Sequence, residues 1–242
     1  MVRISRRNLP HWYVPGAAHF VTYRLAGTIP LSVIQDLQER RALGRRQCKL
    51  SSQSSRDDLL RVDKQIFAAY DAYLDENRAI DWLMQPDLAA IIRENLYHHR
   101  GTKYHLFAYC VMPNHVHILL QPIEIGSQAH ANSMLTLGDA TPGRALEKPD
   151  AQSPLSRVLH SLKSYTANSV NKLLGRSGQL WQHESYDHWV RDDDELERIV
   201  AYIAANPVKA RLVSRAEDWK CSSAHDQFVV NQDNSGWLDQ RT

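Results

Sequence analysis

His115 and His117 stand two apart in the run AYCVMPNHVHILLQP, residues 108–122. Side chains alternate across a β-strand, so residues two apart project from the same face. Two neutral imidazoles side by side can hold a divalent cation. An isolated His-x-His is equally at home on a polar sheet face. Here the flanking Val111, Met112, Ile118, Leu119 and Leu120 make a buried strand, in which two polar rings need partners such as a metal and outer acceptors. The second pair is Tyr202 and Asn206, spaced i, i+4 on one helix face. A phenol and an amide oxygen would sit together on that face. Taken alone, they read as a packed aromatic and a C-terminal helix residue before Pro207.

The elements that must bring these pairs together are legible from period and punctuation. HFVTYRLAG, residues 19–27, reads as a strand. Residues 31–47 and 56–77 repeat apolar positions at helical spacing around the polar SSQSSRDD, a loop and helix cap. Pro86 opens a further helix that ends before Gly101. The segment 104–122 is two strands joined through Met112-Pro113-Asn114. Residues 123–154 are rich in Gly, Ser, Ala, Pro and Asp without a period and read as a loop. A helix follows over about Pro154–Leu174, then an extended tract, 178–190. The last helix begins at the capping residues Asp192 and Glu195 and is expected to stop at Pro207. Tyr165 is expected to pack, and Tyr186, His188, Trp181 and Trp189 to pack or line a site.

Composition narrows the classes. Lys and Arg number 29 against 27 Asp and Glu, so a nucleic-acid surface would need local clustering of basic residues. Three cysteines without close pairing argue against a disulfide framework or a Cys-based zinc module and fit a reducing cytoplasm. No apolar run approaches a membrane span, so a soluble protein without a membrane partner is expected. The length suits one domain over 1–242, with a helical insertion at about 31–85 and the loop at about 123–154.

Taken together, AYCVMPNHVHILLQP, HSLKSYTANSVNKLLG, the block from LWQHESYDHWV to YIAANPVKARLV, and WKCSSAHD resemble the REP-associated tyrosine transposases. These are relatives of the IS200-like single-tyrosine HUH transposases. The resemblance implies an α+β fold with a central antiparallel sheet, ferredoxin-like or RRM-like, with helices on one face. It implies Mg²⁺ or Mn²⁺ held by His115 and His117, with Asn206 where related enzymes carry Gln, and Tyr202 as nucleophile. The implied partners are single-stranded DNA hairpins from palindromic repeats with a short flanking recognition sequence. Candidate phosphate contacts are Arg3, Arg6, Arg7, Lys163, Lys209 and Arg211. The rival readings are a catalytically quiet DNA-binding regulator and a metal-dependent nuclease that uses water. A tyrosine and a metal-held phosphate need a backbone that a duplex constrains. Perfect duplex DNA should therefore be cut far more slowly than a single-stranded hairpin of the same repeat in a gel assay, and equal rates would refute this expectation.

Overall fold

The computed structural model describes residues 13–50, 56–123 and 153–226. Strand β1 (His19–Arg24) leads into a helical pair, α1 (Leu31–Leu50) and α2 (Arg56–Glu76), and then α3 (Pro86–His98). Strands β2 (Tyr104–Val111) and β3 (His115–Pro122) form a hairpin, followed by α4 (Pro154–Leu173), β4 (Tyr186–Trp189) and α5 (Asp193–Lys209). The sheet order is β2-β3-β1-β4, with every neighbouring pair antiparallel. This is the ferredoxin-like βαββαβ arrangement, with α1 and α2 inserted in the first crossover and α5 added at the end. Most of the 123–154 loop lies outside the described residues, as do residues 51–55 of the interhelical loop.

Helices cover both faces of the sheet, not one as expected. On the first face Val21, Tyr23, Val116, Ile118 and Leu120 pack with Leu88, Ile92 and Leu96 of α3 and Leu155, Val158 and Leu162 of α4. On the second, Phe20, Cys110, Met112 and Leu119 pack with Leu196 and Ile203 of α5, and Phe67 of α2 leans on this cluster. The reason is visible in the strands. LFAYCVM and VHILL are near-continuous apolar runs, the signature of a strand buried on both sides, whereas a half-solvated strand would alternate. His115, His117 and Thr22 fall on the α2/α5 face, so the histidines look at the helix that carries Tyr202.

Three expectations about the later elements change. Tyr165 is 56% exposed on α4 and belongs to neither core cluster. Only Tyr186–Trp189 of the extended tract pairs as a strand, although Trp181 bridges Leu25 and is buried, its Nε1 donating to Thr166 Oγ1 at 2.9 Å. Helix α5 also does not stop at Pro207; the proline lies inside its last turn. Proline removes one N–H, a small loss this close to a helix end. The helix closes two residues later through Arg211 N to Val208 O and Leu212 N to Pro207 O, both 2.9 Å, the double bond of a Schellman cap.

That cap holds Arg211 at φ 56°, a left-handed conformation normally left to glycine. Arg211→Gly should therefore stabilise the fold by about 1 kcal/mol, since a Cβ there costs roughly that much. The expected rise in melting temperature is about 2–4 °C. A lower melting temperature would contradict this account of the helix end.

Candidate metal centre and nucleophile

Asn114, between β2 and β3, orients the first histidine. Its Nδ2 donates to the carbonyls of Leu74 at 2.9 Å and Asn77 at 2.8 Å, at the C-terminal end of α2. With both amide hydrogens used, its Oδ1 must accept, and it does so from His115 Nδ1 at 2.6 Å. The proton of His115 therefore sits on Nδ1, and its Nε2 is an acceptor that faces the His117 ring. Burial, followed by neighbouring His117, pushes His115 well below the ordinary histidine range, which keeps it neutral. His117 Nδ1 meets Thr22 Oγ1 of β1 at 2.7 Å, leaving its Nε2 on the same side. The two Nε2 atoms are 2.9 Å apart.

The third member comes from α2. Asp71 is fully buried, and its Oδ1 lies 3.3 Å from His117 Nε2 and 3.9 Å from His115 Nε2. That oxygen has no hydrogen-bonding partner. Ligand atoms of Asp71, His115 and His117 all fall within 4.8 Å of one another. Two aromatic nitrogens and a carboxylate oxygen converging in a buried site are a donor set for a divalent cation, which would replace the bond between the two rings and give Asp71 Oδ1 the partner it lacks. Burial alone would raise the Asp71 carboxyl, but His117, His115 and the Tyr202 hydroxyl outweigh it and hold it well below the usual range.

Tyr202 belongs to this cluster. Its hydroxyl donates to Asp71 Oδ2, and its ring lies 5.7 Å from that of His117, edge to face. Lys209, two turns on, donates to the same Oδ2 at 3.0 Å and pairs with Asp75 Oδ2 at 3.2 Å. Burial and the Asp71 charge hold the Tyr202 hydroxyl far above the usual phenol range, so it rests protonated. Asn206 is fully buried beside Tyr202, its amide close enough to the phenol to oppose part of that rise but without a hydrogen bond of ordinary geometry. An amide in that condition is free to serve as a further donor.

Sequence reasoning missed Asp71 and Asn114. Asp71 follows Phe67 by four and precedes Leu74 by three, so it interrupts the apolar stripe of α2 with an acid. That interruption was the available signal. The basic residues scatter. Lys209 is engaged at the site, and Lys163 donates to the carbonyls of Gln182 at 2.6 Å and His183 at 3.1 Å, its ammonium pushed down to about 8 by burial and by Arg24. Arg211 is exposed, and Arg3, Arg6 and Arg7 lie outside the described residues. His188 pairs with Glu195 at 3.1 Å, and Tyr186 stacks on Phe67 with ring centres 4.1 Å apart.

A protein of Haemophilus influenzae named "Putative REP-associated tyrosine transposase" is 28% identical to this chain over 118 residues, covering 49% of this chain and 57% of the relative. The chain is thus similar to the REP-associated tyrosine transposases. It spans little more than half the length of that relative. No family model matches. A solved structure of a REP-associated tyrosine transposase bound to a REP hairpin aligns with 93% of this chain and 84% of its own, at a TM-score of 0.46 and 17% identity. Among the described residues, no helix is long and apolar enough to cross a membrane.

The donor geometry generates a test of the centre itself. A cation at a hundredfold excess over its dissociation constant should stabilise the fold by about 2.7 kcal/mol. Mn²⁺ should accordingly raise the melting temperature of the wild type but not of Asp71→Ala, His115→Ala or His117→Ala. An undiminished Mn²⁺ shift in all three variants would remove the metal assignment.

Proposed function

We propose that this chain is a metal-dependent DNA strand transferase that cleaves and rejoins single-stranded DNA at hairpin-forming repeats, with Tyr202 as nucleophile. The observation that carries the reading is the shared carboxylate: one oxygen of Asp71 faces the two histidines, and the other accepts from Tyr202. The likeness to the REP-associated tyrosine transposases supports the substrate class. Asp71, His115 and His117 would hold the cation, with Asn206 as a further donor. Two imidazoles favour Mn²⁺ over Mg²⁺, the softer of these two ions being the better match for nitrogen. When bound, such an ion polarises the scissile phosphate and neutralises charge that develops on it.

The residues of the chain do the rest. Asp71 aims the Tyr202 oxygen; with its own carboxyl held low and the phenol held high, it orients that hydroxyl rather than deprotonating it at rest. Tyr202 Oη forms a bond to phosphorus as the bond to the leaving 3′ oxygen breaks. The phenol proton ends on that 3′ oxygen, so the exchange needs no net acid or base. The product is a 5′-phosphotyrosine that another 3′-hydroxyl can resolve without nucleotide hydrolysis. Arg211, with Arg3, Arg6 and Arg7, would contact phosphates, whereas Lys163 and Lys209 have their ammoniums occupied within the protein.

The test is a denaturing gel of the chain incubated with a labelled single-stranded hairpin and Mn²⁺. The wild type should give a protein-linked DNA band, and Tyr202→Phe should lose both the band and the cleaved product while keeping DNA binding, with a melting temperature lowered by a few degrees because Asp71 loses one donor and keeps Lys209. Cleavage that persists in Tyr202→Phe would instead assign a hydrolase that uses water.

A further inference from the structure

Asp71 has a second acid one turn later on the same helix. Asp75 follows it by four residues, so both carboxylates project from one face of α2. Asp71 is fully buried, and the Asp75 side chain is only 8% exposed. Two buried carboxylates a turn apart repel each other and are tolerated only with a cation between them. Burial and the Asp71 charge accordingly push the Asp75 carboxyl above its usual range. Neither oxygen of Asp75 makes a hydrogen bond of ordinary geometry. Among the described residues, the group that answers both acids is Lys209. Its ammonium lies 3.0 Å from Asp71 Oδ2 and 3.2 Å from Asp75 Oδ2. Burial opposes the charge on Lys209, but Asp71 and Asp75 outweigh it and raise the ammonium above the ordinary lysine range. Lys209 is the last residue of α5, where the partial negative charge of the helix end also favours a cation. Its Nζ stands 5.7 Å from the centre of the Tyr202 ring. The side chain is 48% exposed, so removing it would let ions from solvent reach the two acids.

We propose that Lys209 is a built-in second cation, whose ammonium fills, between Asp71 and Asp75, the place that a second divalent ion would take beside the first. The inference rests on the metal reading of Asp71, His115 and His117 above. The Asp71 carboxylate is disposed as a bridging ligand is in a two-ion centre, with Oδ1 toward the imidazoles and Oδ2 toward Lys209. Paired ions in phosphoryl-transfer sites stand about 3.5–4 Å apart, a span that one bridging carboxylate covers. The two halves differ in what they offer. The first presents imidazole nitrogens, whereas the place between Asp71 and Asp75 presents carboxylate oxygens alone, a donor set that Mg²⁺ or Mn²⁺ accepts when nothing else holds it. A tethered ammonium neutralises the pair with a single charge and does not exchange with solvent. The centre therefore takes one divalent ion and not two. With that ion in place, the cationic charge of the metal and Lys209 exceeds the anionic charge of Asp71 and Asp75 by one, so an anionic phosphodiester is still attracted.

Counting bound Mn²⁺ tests this without DNA, by titrating metal-free protein and following the free-ion signal in electron paramagnetic resonance. The wild type should hold one Mn²⁺ per chain tightly. Lys209→Ala should hold two, Lys209→Arg one, and Lys209→Ala combined with Asp75→Asn one again, because the second place then lacks a carboxylate. Melting curves across the same titration cover a variant that folds poorly. Lys209→Ala should melt below the wild type without metal and gain more from saturating Mn²⁺ than the wild type gains, since the added ion replaces the lost ammonium. One Mn²⁺ in Lys209→Ala, or a thermal gain no larger than that of the wild type, would overturn the proposal and leave the centre of Asp71, His115 and His117 standing. Two Mn²⁺ in the wild type would overturn it as well, because Lys209 would not be holding the second place. A wild type that binds none would remove the centre itself, and this inference with it.

Discussion

The Asp71 carboxylate is the constraint around which the described structure is arranged. Burying an ion costs several kcal/mol unless it is paired and hydrogen-bonded. Here one oxygen is satisfied by Lys209 and Tyr202 from α5, and the other is left facing two imidazole nitrogens. On the proposed reading, the unsatisfied half would draw a cation and the satisfied half would fix the Tyr202 hydroxyl beside it. A single side chain therefore sets the spacing between the two chemical components, and it arrives from α2, the inserted helix, rather than from the strand or helix that carries the motifs.

Holding that carboxylate requires α2 to be locked to the sheet, and Asn114 is the lock. It joins the C-terminal end of α2 to the β2–β3 turn and fixes the His115 tautomer. Arg78 adds a second tie, donating to the Ala210 carbonyl at the end of α5 at 2.7 Å. Helix α2, the histidine strand and the tyrosine helix thus form one hydrogen-bonded body, which limits the loss of precision that follows when a site's supporting groups are mobile.

Much of this was legible in the residues because the relevant signals are local. Strand period put His115 and His117 on one face, helical period paired Tyr202 with Asn206, and the β2–β3 hairpin followed from Met112-Pro113-Asn114. What escaped was tertiary. An acid on the apolar stripe of α2 has no local partner, so its role appears only when the helix is folded over β3. The covering of both sheet faces was written in the continuous apolar strands, yet the resemblance led to the expectation of helices on one face only. Pro207 looked like a stop because proline breaks helix interiors, but the last turn loses little by it, and the Schellman cap two residues later sets the end. The placing of Lys209 between Asp71 and Asp75 required the same long-range closure and left no motif.

The measurement that bears most directly on this account is anomalous diffraction from a crystal of the chain soaked in Mn²⁺. The account predicts one strong peak within ligand distance of His115 Nε2, His117 Nε2 and Asp71 Oδ1, with the Tyr202 hydroxyl beside it. A peak elsewhere, or the two histidines hydrogen-bonded to water with no metal between them at saturating Mn²⁺, would contradict it.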